Sequence, residues 1–273
     1  YAIIPGIALD EEGNKQSFIQ VLDGRLLNSK YHQFSFENFV PYADKFRISI
    51  TNNHFSSSAI HLDLPGIKGR LAFSGNIPWP KYWYSPGIMG PYTFIPFMEC
   101  KHGIVSMDHT ITGELEVNGE IIDFTNGRGY IEKDWGRSFP EGYIWMQSNH
   151  FGKSGISLKA SVAKIPWIRN SFTGFIAGLW LNGRLIKFTT YNQSVLKRSF
   201  ADTKTVELIF ENKNYRLEII AQRELATGLA SPIRGMMDGR IEESMSARLE
   251  VKLTDKKNQH LIFQDTGRNA GLE

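Results

Sequence analysis

The stretch Gly129-Tyr-Ile-Glu-Lys-Asp-Trp-Gly-Arg-Ser-Phe-Pro-Glu-Gly-Tyr-Ile-Trp-Met-Gln-Ser-Asn-His-Phe151 is the densest patch of polar and aromatic residues in the chain. Read as strand, corner, strand, it splits by parity. Before the corner Tyr130, Glu132 and Asp134 share one face, and Ile131, Lys133 and Trp135 share the other. After it Tyr143, Trp145, Gln147 and Asn149 line one face, against Ile144, Met146, Ser148 and His150. A face of Tyr, Trp, Gln and Asn is too polar for a dry core and too aromatic for an ordinary wet surface. It suits a ligand cavity, where large apolar walls hold a few placed polar groups. A carboxyl set in such a wall keeps its proton near neutral pH and can act as an acid. The plainer readings are that Glu132, Lys133 and Arg137 pair at a strand end, and that Trp135-Gly136 is a corner that closes a barrel.

Other chemistries lack their residues. His61 and Asp63 share a face of a strand expected over 57–64, and Asp108-His109 precedes another, but a metal centre needs three or four converging ligands. The chain has no His-x-x-x-His and no cysteine pair, so no metal is expected. Nucleophile elbow, phosphate loop and dinucleotide glycine patterns are absent too. Cys100 stands alone and reads as a structural thiol. Asn192-Gln-Ser matches a glycosylation sequon, which carries little weight in a cytoplasmic protein.

The elements that must position these residues are strands. Apolar and polar residues alternate in 45–50, 67–73, 112–117, 184–188, 205–210, 215–220 and 247–253. Asp23-Gly24, Asn118-Gly119 and Asn182-Gly183 are hairpin dipeptides, and Asn212-Lys213-Asn214 marks a further turn. The best short helix candidate, Gln222 to Leu229, is cut off by Pro232, and 222–243 otherwise reads as a loop. With 273 residues, 41% of them hydrophobic and 22% charged, the chain can bury a large core. Strands at short intervals predict an all-β fold of barrels or sandwiches. Two halves are expected, 1–140 and 141–273.

Net charge is +3, with Lys and Arg scattered, so no nucleic-acid partner is expected. No apolar run reaches the roughly 18 residues of a membrane helix, and no secretory signal is visible. One cysteine fits a reducing cytoplasm. Tyr1 opens directly into a strand, so the sequence is expected to start inside the natural protein. The segment from Ile77 to Phe97 concentrates Trp79, Tyr82, Trp83, Tyr84, Tyr92 and Phe94 among prolines, which exclude a central strand. It suits a lid over a cavity, a tip touching a membrane, an oligomer contact, or a loop packed on its own barrel.

The run Tyr130-Ile-Glu-Lys-Asp-Trp-Gly-Arg-Ser-Phe-Pro140, followed by Tyr143-Ile-Trp-Met-Gln-Ser-Asn-His-Phe151, resembles the signature of the tocopherol cyclase family. In that pattern Glu-Lys-x-Trp-Gly-x-Ser-Phe-Pro precedes a Trp-x-Gln-x-Asn strand. The ends Tyr1-Ala-Ile-Ile-Pro-Gly-Ile7 and Asp265-Thr-Gly-Arg-Asn-Ala-Gly-Leu-Glu273 are similar to the family's ends, so the resemblance covers nearly the whole chain. The family's Trp- and Tyr-rich strand before Tyr1 is missing here, and the plant enzymes usually carry Asn at the position of Asp134.

The resemblance implies two packed lipocalin-like antiparallel β-barrel or sandwich halves with an apolar cavity, and kinship in fold with carotenoid hydratases and some pericyclic cyclases. It also implies closure of a chromanol ring on a prenylated quinol, by proton addition to a double bond and capture of the cation by the phenol oxygen, with no cofactor. Such chemistry needs a dry site, an acid and aromatic faces. Asp134 beside Trp135 is the first choice as acid, Glu132 competes, and Tyr130 relays or orients the proton. Tyr143, Trp145, Gln147 and Asn149 form the wall, with Trp79 and Trp83 as further ligand contacts. The expected partner is an apolar small molecule, an isoprenoid or lipid. Alternatives are a non-catalytic carrier on the same barrel and an interaction module using the aromatic loop.

Overall fold

The computed structural model describes residues 1–43, 45–96, 98–167 and 170–273. Phe97, the last residue of the aromatic loop, lies outside the described residues. The described residues form three antiparallel β-sheets, joined by turns and two short 3-10 helices. The first is β1 (Ala2–Leu9), β2 (Lys15–Asp23) and β3 (Asn28–Phe34). The second comprises β4 (Phe39–Pro41), β5 (Arg47–Ile50), β6 (Asn53–Ser56), β7 (Ala59–Leu64), β8 (Ile67–Ser74), β9 (Cys100–Val117), β10 (Glu120–Asp123) and β11 (Gly127–Gly136). The third comprises β12 (Tyr143–Ser148), β13 (Ser157–Trp167), β14 (Asn170–Leu181), β15 (Arg184–Thr189), β16 (Val195–Ala201), β17 (Thr205–Glu211), β18 (Tyr215–Gln222), β19 (Ala226–Ile233), β20 (Met236–Asp255) and β21 (Leu261–Leu272). The chain leaves the second sheet after Gly136 and enters the third at Tyr143.

Alternation builds these strands and turn chemistry sets their register. Asn118-Gly119 and Asn182-Gly183 both adopt positive φ in each residue, at 53° and 88° and at 51° and 76°. Two-residue hairpin loops demand that geometry. Asp23-Gly24 works differently. The loop runs on to Leu27, which takes the positive φ, and the Asp23 carboxylate accepts the N–H groups of Arg25 and Leu26 at 2.9 and 3.2 Å. Residues 222–243, read above as a short helix and a loop, form the hairpin of β19 and β20 with Arg234-Gly235 at its tip. Pro232 does not forbid the strand because it sits at a bulge between Ser231 and Ile233.

Each part has its own core. The third sheet curls around Met146, Leu158, Ala160, Phe188, Leu208, Phe210, Leu217, Leu249 and Leu272. The first and second sheets share Ile19, Val21, Ile50, Phe55, Leu62, Leu64 and Leu115. A third cluster lies between the second and third sheets, where Trp79, Ile88 and Met89 of the aromatic loop pack with Ile104 and Met107 of β9 and with Ile176 and Leu185. Below this cluster a polar clamp crosses the same seam. Buried Asp108 is gripped by the Arg128 guanidinium, with Nε at 3.0 Å, and accepts a bond from Asn149 Nδ2 at 3.1 Å.

Candidate active site

Parity within β12 decides which way the signature points. Met146 belongs to the core of the third sheet and Ile144 packs against it. Tyr143, Trp145 and Gln147 therefore face the other way, out of that core and into the seam with the second sheet. Register places Lys159 opposite Gln147, Ser161 opposite Trp145, and Gly271 on the far side of Gln147. The Trp145 ring lies over Gly271, where a Cβ would fall within 2.6 Å of it, with the Glu243 carboxyl beside it. Glu273 exchanges both backbone hydrogen bonds with Trp145. The wall stands between two sheets, because β12 spends its apolar parity on the core of the third sheet.

From the second sheet β11 presents Tyr130 and Glu132. Bulges at Gly129/Ile131 and Ile131/Glu132 re-aim the strand. The Tyr130 hydroxyl donates to Glu132 Oε2 at 2.6 Å. Burial is the largest influence on Glu132 and, with the charge of Asp134, raises its carboxyl above the ordinary range. Lys159 and His102 pull in the opposite direction. Lys159 is fully buried, its Nζ donating to Ser161 Oγ at 2.7 Å, and burial lowers its ammonium while Glu132 and Asp134 raise it. Burial thus favours the uncharged form of both groups. Nearby, burial and neighbouring carboxylates push Glu243 up to about 8 and Glu273 up to about 7. The Tyr130 and Tyr143 hydroxyls are raised by burial too.

The structure therefore brings Tyr130, Glu132, Tyr143, Trp145 and Gln147 together and leaves other expected members outside. Asp134 lies at the rim, paired with His102 Nδ1, with 30% of its side chain exposed. Trp135 is on the opposite face with Lys133, whose Nζ sits 5.0 Å from its ring centroid above Gly103. Asn149 is buried, but its amide nitrogen is spent on Asp108 and on the Gly129 carbonyl at 2.8 Å. Trp79 is buried against Gly178, and Trp83 is 90% exposed. His61 and Asp63 are exposed on β7. Burial pushes the Cys100 thiol up to about 12, so it is no nucleophile at neutral pH.

Three participants escaped sequence reading: Lys159, Glu243 and Glu273. Lys159 carried a signal, since it interrupts the apolar run Ile156-Ser-Leu-Lys-Ala-Ser-Val162 on a strand buried on both faces. The two glutamates carried none, because only the pairing of β20 with β21 brings them to the seam.

The seam also holds two donors in want of an acceptor. Trp145 Nε1 and Gln147 Nε2 are buried and find no partner among the described residues. Such groups are costly unless something accepts their protons. Two surface grooves of about 440 and 390 Å3 lie elsewhere, one along Ser194–Ser199 and one between Ser246, Arg248, Arg268 and Asn269. Together the seam offers a carboxyl that burial raises above its ordinary range, aromatic faces and hydrogen-bond donors for an oxygen atom. Among the described residues no three His, Cys, Asp or Glu side chains are grouped to hold a metal ion, and no helix is long and apolar enough to cross a membrane.

The chain is 27% identical to a protein named probable tocopherol cyclase, chloroplastic, from Oryza sativa subsp. japonica, over 65% of this chain and 40% of that protein. It is 29% identical to tocopherol cyclase, chloroplastic, from Zea mays, over the same shares. The chain thus spans well under half the length of these curated relatives. Among solved structures, CghA superimposes with a TM-score of 0.55 at 10% identity, over 94% of this chain and 78% of that one. Kievitone hydratase from Nectria haematococca superimposes with a TM-score of 0.50 at 11% identity, over 98% and 87%. These likenesses show a shared fold. The model of the tocopherol cyclase-like family matches residues 77–273, which contain the whole seam face of the third sheet together with β9 and β11, and the chain belongs to that family.

Proposed function

We propose that this protein is a cofactor-independent enzyme that cyclises, or hydrates, an isoprenoid or prenylated quinol by protonation, with Glu132 as the acid. The observation that carries the reading is the Glu132 carboxyl, desolvated in the seam, hydrogen-bonded to Tyr130, and faced by the strand of Tyr143, Trp145 and Gln147. In cyclisation the Glu132 proton adds to a trisubstituted double bond and leaves a tertiary cation. The phenol oxygen closes on that carbon and releases its own proton, which restores Glu132, so the reaction is an isomerisation. Aromatic faces stabilise the cation by roughly 2 kcal/mol each where water is excluded. Trp145 Nε1 and Gln147 Nε2 hold the substrate oxygen, which satisfies the two orphaned donors. Asp134, anchored to His102 at the rim, raises Glu132 electrostatically and is not itself the donor.

The test is incubation of a prenylated hydroquinone in deuterated water. The reading expects a ring-closed isomer carrying one deuterium at the protonated carbon, and a Glu132→Gln variant slowed by about 100- to 10,000-fold. An unchanged rate in E132Q with loss in Asp134→Asn would move the acid to the rim. Tight binding of the quinol with no turnover would make the protein a carrier.

A further inference from the structure

The aromatic loop has two parts with opposite surroundings. Its base is fixed. Trp79 is 2% exposed and packs on Gly178, the β14 partner of Lys159 in register. Ile88 and Met89 are buried, the Tyr191 hydroxyl donates to the Ile88 carbonyl at 2.6 Å, and Lys101 Nζ donates to the Thr93 carbonyl at 3.0 Å. Between these anchors the chain makes a tight hairpin, with Tyr82 and Ser85 exchanging backbone bonds of 2.9 and 3.0 Å. Its tip carries Tyr82, Trp83 and Tyr84, which are 47%, 90% and 54% exposed. The three rings stack on one another, Tyr82 on Tyr84 and Trp83 edge-on to Tyr84, both at 5.5 Å. Tyr82 also lies over Lys187 Nζ at 5.7 Å, on β15, the edge strand of the third sheet. The loop therefore runs from the seam, across β14, to the sheet edge, and ends in an aromatic cluster pointing at solvent.

We infer that this tip is a docking surface for a phospholipid bilayer, which it grips at the headgroup level. Trp and Tyr combine a large apolar ring with a polar N–H or O–H, which is the chemistry of the membrane–water interface. Charge agrees. From Asn76 to Met98 the sequence has no Asp or Glu, its one charged residue is the exposed Lys81, and Lys187 stands beside Tyr82. Anionic headgroups attract such a surface. A second copy of the chain fits less well, because three side chains on a convex tip offer roughly a few hundred Å2, against about 800 Å2 per partner in a stable protein interface.

The measurement is co-sedimentation of the intact chain with phosphatidylcholine vesicles containing about one-third phosphatidylglycerol, without substrate. The expected result is binding by the unaltered chain, with affinity reduced about tenfold or more in the triple variant Tyr82→Ser, Trp83→Ser, Tyr84→Ser. The three side chains belong to no core, so the variant keeps its thermal transition. Glu132→Gln binds vesicles like the unaltered chain, which separates this inference from the catalytic reading. No binding by the unaltered chain, or equal binding by the triple variant, overturns it. So does concentration-dependent dimerisation that the triple substitution abolishes.

Discussion

Glu243 offers the sharpest probe of whether the seam is dry. Its residue is 8% exposed on β20, and burial first, then the charges of Glu273 and Glu132, lift its carboxyl from the ordinary 4.5 to about 8. In the unfolded chain the group titrates near its ordinary value. Between those two points the folded chain holds a proton that the unfolded chain has released, so stability is complete below pH 4.5 and falls as pH rises towards 8. At about 1.4 kcal/mol per pH unit, an isolated group would cost roughly 3 kcal/mol at neutral pH. Glu273 contributes to the same repulsion and is itself lifted to about 7, which leaves about 2 kcal/mol as the working value for Glu243 alone. Glu243→Gln keeps the shape of the protonated acid and cannot ionise. Urea unfolding followed by tryptophan fluorescence is expected to show equal midpoints for the two proteins near pH 4, and an advantage of about 2 kcal/mol for E243Q at neutral pH. A constant difference across that range would mean that Glu243 ionises normally, and that water reaches the seam.

Two further outcomes follow from the same geometry. Trp79→Ala empties the largest side chain of the cluster between the sheets and is expected to cost about 3–5 kcal/mol, read as a lowered unfolding midpoint. If Glu132 is the acid, Lys159→Met removes the positive neighbour that lowers it, so the loss of activity with rising pH is expected at higher pH than in the unaltered chain. A profile that stays in place would show that Lys159 does not act on the acid.

The fold was largely legible because its grammar is local. Alternation marks strands and Asn-Gly marks hairpins, and both depend on neighbours in sequence. The β19–β20 hairpin was hidden because Pro232 reads as a breaker until the bulge that accommodates it is seen. The signature lies on β11 and β12, but its residues do not say which way those strands face. Parity shows that Trp145 and Gln147 share a face, and cannot say whether that face meets a barrel interior or a second sheet. The two candidate acids differ on the same point. Asp134 and Glu132 are two residues apart on one strand, and only the packing of the third sheet half-buries Glu132 and leaves Asp134 at the rim with His102. Lys159 was legible only as an interruption of the apolar run 156–162, not as a neighbour of Glu132.

The seam residues belong to neither of the two large cores. A mutation there leaves the hydrophobic interiors on both flanks intact. Such an arrangement gives a protein engineer a short, separable set of positions, 130, 132, 143, 145, 147 and 159, at which the proposed chemistry can be altered without first dismantling the scaffold.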